Sequence, residues 1–385
     1  MKKLVAPPLL LDGATGTSLQ KHGMPLGACT EKWILEHPEA VIATQRAYAG
    51  AGSDMVYAPT FGANRVALSR HGVKQSVDEL VSRLVELSRE ATGGKTLVAG
   101  DMSVTGLGQP PLSDTSFEEL VDIFTEQAGA LEDSGVDAFA VETQLSLREA
   151  RAAVIAVRAV SEKPIFVSFT CGNSGKSLYG TNLSAALLAL QDMGAAAFGV
   201  NCCGDLGLVE ALLTDMKRFS RIPLIAKPNA GMPVMTESGA VYGMRPEDMA
   251  SYVGRFAAAG ASIIGGCCGT DETHVYAMKA EMEKTQFLLP KPELIEVCAS
   301  EYMVAVLNSG TELRDLELSG NIGKRARAAE DDGAEVLYVR IRDENDIGAL
   351  ESHQHMIKLP LCIDCVDGEL LSRVLRVYHG KPLLV

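Results

Sequence analysis

No stretch of this 385-residue chain is long and apolar enough to read as a membrane helix. Nor is there a stripe of clustered Lys and Arg; the formal net charge is −14. Phosphate backbones and anionic lipid surfaces are held by such clusters, so neither nucleic acid nor membrane is an expected partner. A secretion leader is not expected either. Met1-Lys2-Lys3 and the apolar residues after it imitate one, but Pro7 and Pro8 interrupt the run, no small-residue cleavage site follows, and Asp12 comes too soon. The nine cysteines are spread along a long chain rather than packed into a small one, which argues against a disulfide framework. Adjacent thiols such as Cys202 and Cys203 are also poor bridge partners, because closing that ring strains the backbone. Reduced thiols or metal ligands in a cytoplasmic protein are the expectation.

What the chain does contain is a repeating pattern. Its length suits one large domain and a smaller one, and a composition of 47% hydrophobic and 22% charged residues with 37 glycines fits a globular α/β protein. Eight short apolar runs alternate with helical patterns up to about residue 285: Leu9–Gly13, Met55–Phe61, Thr96–Met102, Ala138–Thr143, Pro164–Thr170, Ala197–Cys203, Pro223–Asn229 and Ser262–Cys268. They show little alternation, as expected of strands buried on both faces of a parallel sheet. Stripes such as Phe117, Leu120, Val121 and Phe124 mark the helices between them, with Ser116 placed to cap one and Gly135, Gly194 and Gly260 placed to end others. Eight such units predict a (β/α)8 TIM barrel over residues 1–288, in preference to a doubly wound open sheet.

A barrel of this kind carries its chemistry at the C-terminal ends of the strands. Those ends read Asp12-Gly13-Ala14-Thr15-Gly16, Thr60-Phe61-Gly62-Ala63-Asn64, Asp101-Met102-Ser103, Glu142-Thr143, Thr170-Cys171-Gly172, Asn201-Cys202-Cys203, Lys227-Pro228-Asn229-Ala230-Gly231 and Gly266-Cys267-Cys268. Small, polar and thiol residues gather there. Three thiolates holding a zinc ion with one open position would activate a further thiol, since the thiolate is the nucleophile. Cys202 or Cys203 on strand six and Cys267 with Cys268 on strand eight can reach a common point. The alternative is that these cysteines are small buried hydrophobes. Two Gly-flanked pairs at active-face strand ends favour the metal.

The motifs Asp12–Thr17, Thr60–Asn64, Gly199-Val200-Asn201-Cys202, Pro228-Asn229-Ala230-Gly231 and Gly265–Thr270 resemble those of zinc-dependent homocysteine S-methyltransferases. Within that family they are most similar to the homocysteine-binding barrel of cobalamin-dependent methionine synthase, over roughly residues 8 to 285. The resemblance implies that Cys202, Cys267 and Cys268 are the zinc ligands and that Cys203 is only a neighbour. It implies methyl transfer to the thiol of L-homocysteine, giving L-methionine. The substrate also carries an ammonium and a carboxylate. Glu142 is the first candidate for the ammonium and Asp12 the second. The Gly13-Ala14-Thr15 turn opens a helix whose N–H groups can receive the carboxylate, and Asn201 can orient a ligand or the substrate from beside the metal. None of the seven histidines falls at a strand end, and a displacement with a good leaving group needs none. The chain lacks the Asp-x-His-x-x-Gly motif with which methionine synthase holds cobalamin, so methylcobalamin would arrive on a partner corrinoid protein. S-methylmethionine is the alternative donor, and a non-catalytic zinc-thiolate module is the alternative role.

Three further features are weighed against their motifs. Gly172-Asn173-Ser174-Gly175-Lys176-Ser177 imitates a phosphate loop, but Thr170 stands where its first Gly belongs, so a mobile Gly- and Ser-rich loop is expected. Ser103–Ser116 reads either as a lid or as a surface connection. Cys362 and Cys365 have C-x-x-C spacing inside a strand pattern, which points to a structural role. Pro290-Lys291-Pro292 marks a linker, and residues 289–385 form a second, smaller α/β segment with strands near Leu294–Cys298, Val336–Ile341, Leu361–Asp364 and Pro382–Val385. It resembles the first units of the pterin-binding barrel of methionine synthase, in which an Asp at the position of Asp364 contacts the pterin.

Overall fold

The computed structural model describes residues 7–236 and 239–385, so the leader-like Met1–Lys3 start lies outside the described residues. Eight strands form one parallel sheet: β1 (Leu9–Leu10), β2 (Met55–Tyr57), β3 (Leu97–Met102), β4 (Ala138–Gln144), β5 (Ile165–Phe169), β6 (Ala197–Asn201), β7 (Leu224–Lys227) and β8 (Ala261–Ile264). Their spatial order follows the chain from β2 to β8, and β1 pairs with β8. Helices connect them, as expected of a TIM barrel.

The seam between β1 and β2 closes differently. No strand ladder joins them; instead the Asp54 N–H donates to Leu10 O (2.7 Å) and the Asp54 carboxylate accepts from the Leu10 N–H (2.8 Å). Higher up, the Asp12 carboxylate accepts the Tyr57 N–H at 2.8 Å. Carboxylates thus supply acceptors that a neighbouring strand would otherwise provide.

Local sequence explains the helices. Ser116 caps Phe117–Asp133 through the Glu119 N–H, and Ser76 with Glu79 forms a capping box on Val77–Thr92. The predicted stripe Phe117, Leu120, Val121 and Phe124 is buried. Apolar residues fill both sides of the strands. Inside the barrel, Met55, Ala99, Ala138, Ala140, Phe166 and Ile225 pack in one cluster, the small alanines leaving room for the Phe ring. Side chains alternate with period two along a strand. The next inward positions after Met55, Ala99, Ala140 and Ile225 are Tyr57, Asp101, Glu142 and Lys227, so the barrel interior turns from apolar to charged at its C-terminal mouth.

The second segment begins with an antiparallel hairpin, Val297–Ala299 with Val304–Val306. Four parallel strands follow in chain order: β9 (Leu313–Asp315), β10 (Val336–Arg340), β11 (Leu361–Asp364) and β12 (Leu383–Leu384). Helices Ile322–Asp331, Glu344–His353 and Gly368–Val377 alternate with them. One sheet face packs on these helices, while Cys298 and Ala305 of the hairpin cover Val336 and Cys362 on the other. Sequence patterning overlooked Val304–Val306, β9 and the hairpin Val234–Thr236 with Gly239–Val241. Each has only three residues, too few to display a period.

The two segments meet at a buried polar cluster. Glu301 accepts the Leu147 N–H (3.1 Å), the Thr181 hydroxyl (2.8 Å) and a bond from His379 Nδ1 (3.3 Å). Nearby, Arg151 donates to Leu375 O at 2.8 Å and Arg376 makes a bidentate pair with Glu118. Among the described residues no helix is long and apolar enough to cross a membrane.

Candidate functional site

Two non-glycine residues adopt left-handed backbone among those described, and both end barrel strands: Thr143 (φ 57°) and Cys202 (φ 56°). Such conformations cost energy and persist where the surroundings enforce them, often at functional sites. At Cys202 the turn decides which thiol faces which way. Cys202 Sγ lies 3.8 Å from Cys268 Sγ, and with Cys267 the three sulfurs all lie within 4.8 Å of one another. Cys203 turns elsewhere: its Sγ is buried 2.9 Å from Cys171 Sγ. Spacing alone had left open which of the adjacent pair would join Cys267 and Cys268, while the family resemblance implied Cys202. A tetrahedral zinc with Zn–S bonds near 2.3 Å places its sulfurs about 3.8 Å apart, so donor type and spacing both fit that ion.

Neighbouring loops hold the trio. The Thr270 hydroxyl donates to Cys267 O (2.8 Å) and accepts the Ala14 N–H (3.1 Å), tying the first strand end to the last. A Cβ on Gly266 would lie 2.3 Å from Thr270 Oγ1, which is why that approach needs glycine. Asn201 accepts the Thr143 N–H and the Ser168 hydroxyl, both at 3.0 Å, donates to Thr143 Oγ1 (2.7 Å), and reaches Cys267 Sγ at 3.9 Å. It therefore locks the strained Thr143 turn against a sulfur of the trio. Asn229 donates to Cys202 O (3.2 Å), and its own side-chain oxygen is buried without a partner.

Beside the sulfurs opens a cavity of about 290 Å³. Asp12, Gly13, Ala14, Thr15 and Glu142 all line it, while Asn201 lies fully buried behind. One expectation needs correction. The Ala14 N–H is already taken by Thr270, so it is not the open carboxylate donor the turn suggested. Glu142 is shared: Lys227 Nζ sits 3.2 Å from its Oε2, and among the described residues no hydrogen bond reaches its Oε1.

Lys227 is the residue that sequence reasoning passed over. It stood in the strand-end list, but lysine is rarely buried and was given no role. The structure buries it 3.2 Å from Glu142, 3.5 Å from Asp12 and 4.5 Å from the centre of the Tyr57 ring. Burial alone would pull its ammonium down, but Glu142 and Asp12 hold it charged, well above the usual lysine range. The acids respond the other way. Burial pushes Asp12 up to about 6 against the pull of Lys227, and it raises Glu142 too. Asp101 is driven well above the carboxylate range by burial and then by the Glu142 charge.

The remaining motifs stay outside this cavity. The Gly172–Ser177 segment is a tight turn, anchored through the Ser177 hydroxyl on Leu145 O. Ser103–Ser116 is fixed at its start, where Ser103 donates to Glu142 O and Thr105 to Glu149. Cys362 packs under the hairpin, Cys365 donates to Asp367 O, and Asp364 accepts from Tyr338 and Arg340.

Residues 9–282 match the model of the family described as homocysteine S-methyltransferase. Methionine synthase of Mycobacterium leprae (strain TN) is 31% identical over 291 residues, covering 71% of this chain and 24% of that protein. The Mycobacterium tuberculosis (strain ATCC 25618 / H37Rv) methionine synthase gives 31% over 287 residues, 70% of this chain and 24% of that protein. The chain thus spans about a quarter of the length of these curated relatives. Among solved structures, the metallated form of the homocysteine methyltransferase MmuM from Escherichia coli superposes with a TM-score of 0.61 at 28% identity, covering 71% of this chain and 96% of that one. Its oxidized form gives 0.60 at 27%, covering 71% and 95%. With eight strands in barrel order and three thiols gathered at the mouth, this chain belongs to the homocysteine S-methyltransferase family.

Proposed function

We propose that the chain transfers a methyl group to the thiol of L-homocysteine to form L-methionine, with zinc held by Cys202, Cys267 and Cys268. The observation that carries this reading is the convergence of those three sulfurs beside a cavity lined by buried carboxylates. Zinc on three thiolates lowers the pKa of a thiol in its fourth position and holds it as the nucleophilic thiolate. The protein's residues do the rest. Thr143 and Asn201 fix Cys267, while acids and backbone groups at the mouth hold the two ends of the amino acid. The sulfur then attacks the methyl carbon in line, and the old bond's electron pair leaves with the donor. No proton must move in that step, so orientation supplies much of the acceleration.

The likeness to methionine synthases supports a methyl-corrinoid donor on a partner protein. A second reading, with a small donor such as S-methylmethionine, is favoured by the near-complete coverage of the Escherichia coli homocysteine methyltransferase. In either case we assign the chemistry to residues 1–288 and a supporting, partial pterin-barrel-like role to 289–385, in a cytoplasmic protein. Methionine formation from homocysteine should be assayed on zinc-loaded protein with methylcobalamin, a corrinoid partner or S-methylmethionine. Absence of turnover with every donor, despite bound zinc, would refute the enzyme in favour of a zinc-thiolate module. Cys267→Ser should weaken zinc binding by more than about 100-fold, beyond what loss of a supporting residue costs. Unchanged zinc content in that variant would refute the ligand set.

A further inference from the structure

The four carboxylates that line the cavity are not equivalent, and Glu31 is already committed to the Gly62 N–H at 2.6 Å. Asp12 commits Oδ2 to the Tyr57 N–H and has Oδ1 3.5 Å from Lys227 Nζ. Glu142 commits Oε2 to Lys227 at 3.2 Å. Asp101 commits neither oxygen. Among the described residues no hydrogen bond or ion pair reaches its carboxylate, its Oδ1 is buried, and the residue is only 5% exposed. Its backbone, by contrast, is pinned: the N–H donates to Thr60 Oγ1 (3.0 Å), and the carbonyl accepts the Thr60 hydroxyl (2.8 Å). The alternation that sends Ala99 into the barrel sends Asp101 the same way, and it lines the cavity beside Glu142 and Cys267.

A buried carboxylate without partners is costly unless something else completes it. Here one lysine faces four acids, so the charge still to be supplied is positive. The group must also offer several N–H donors within an amino-acid-sized space. A primary ammonium has both properties. We propose that Asp101 receives the α-ammonium of the amino-acid substrate, together with the Glu142 oxygen that Lys227 does not engage. Asp101 thereby makes the cavity selective for thiols that carry a free α-ammonium. This inference rests on the methyl-acceptor reading above and adds the residue that selects the acceptor.

The test is calorimetric titration of zinc-loaded protein with L-homocysteine and with 4-mercaptobutanoate, the same skeleton without the ammonium. Wild-type protein should bind homocysteine more tightly than the desamino thiol. Asp101→Asn keeps the shape and removes no protein partner. It should weaken homocysteine binding by about 10- to 100-fold, the range for a hydrogen bond to a charged group, and leave 4-mercaptobutanoate unchanged. Equal changes for both ligands, or none for homocysteine, would overturn the role of Asp101 while leaving the acceptor reading intact. Equal affinity of the wild type for the two thiols would overturn it without recourse to the variant. Failure of the wild type to bind homocysteine at all would remove the acceptor reading and this inference together.

Discussion

Among the described residues, the acidic cluster at the segment junction and the one at the barrel mouth are built on opposite terms. At the junction of the two segments, Glu301 is met by the Leu147 N–H, the Thr181 hydroxyl and His379. Burial alone would raise its pKa, but those hydrogen bonds and the His379 charge more than offset that, and the carboxyl sits below its ordinary range. Burial keeps His379 below its ordinary range, too. At the barrel mouth Asp12, Asp101 and Glu142 surround one lysine, and burial raises all three. A satisfied centre holds parts together. An undersupplied one stores a demand for a ligand, and it lies beside the three sulfurs.

The contrast can be broken most sharply at Lys227. Lys227→Met leaves Glu142 and Asp12 buried without a counter-charge and should cost about 3–5 kcal/mol in denaturant unfolding at pH 8. The loss should shrink on acidification as those carboxyls take up protons. Glu301→Gln keeps an acceptor for Thr181 and Leu147 but removes the charge. It should cost about 1–3 kcal/mol, read as a lower midpoint of unfolding.

Acid should then act on the two centres with opposite sign. Glu301 and His379 have lowered pKa values in the folded state, so their contribution is lost as pH falls, beginning below the ordinary histidine value of 6.5 and continuing below 4.5. Asp12, raised from 3.8 to about 6, binds more protons when folded, so acidification through that window relieves its cost. Hydrogen exchange corrected for intrinsic rates should accordingly quicken first at the Leu147 and His379 amides, and not along β3 and β4. The smallest effect is expected for Asp101→Asn: unfolding stability within about 0.5 kcal/mol of the wild type or higher, since no protein partner is lost. A large loss there would erase the distinction between the two centres.

Much of this was readable in advance. All eight barrel strands were located, because fully buried strands are written as dense apolar runs bounded by Gly, Pro and polar residues. The strand-end inventory contained the three sulfurs, Asp12, Asp101, Glu142, Asn201 and Lys227, because a barrel places its strand ends at one rim; Tyr57, Ser168 and Thr270 lay outside it. What stayed hidden were relations between those ends. Lys227 carries no mark in sequence of its two carboxylate partners, which come from β1 and β4. Asp101 looked no different from Asp12 until their neighbours were known. The short strands of the second segment escaped for another reason, since three residues pair through the backbone whatever their side chains.

The sequence by itself determined the barrel, the family and the set of thiols and acids available at its mouth. Those follow from local patterning and residue type, which survive in one dimension. Tertiary structure alone decided how they were distributed. A left-handed turn sent Cys202 toward Cys268 and Cys203 toward Cys171, and the packing of β1, β4 and β7 assigned Lys227 to two acids and left Asp101 unpaired. Partnership is a matter of distance between residues far apart in the chain, and only the closed fold sets that distance.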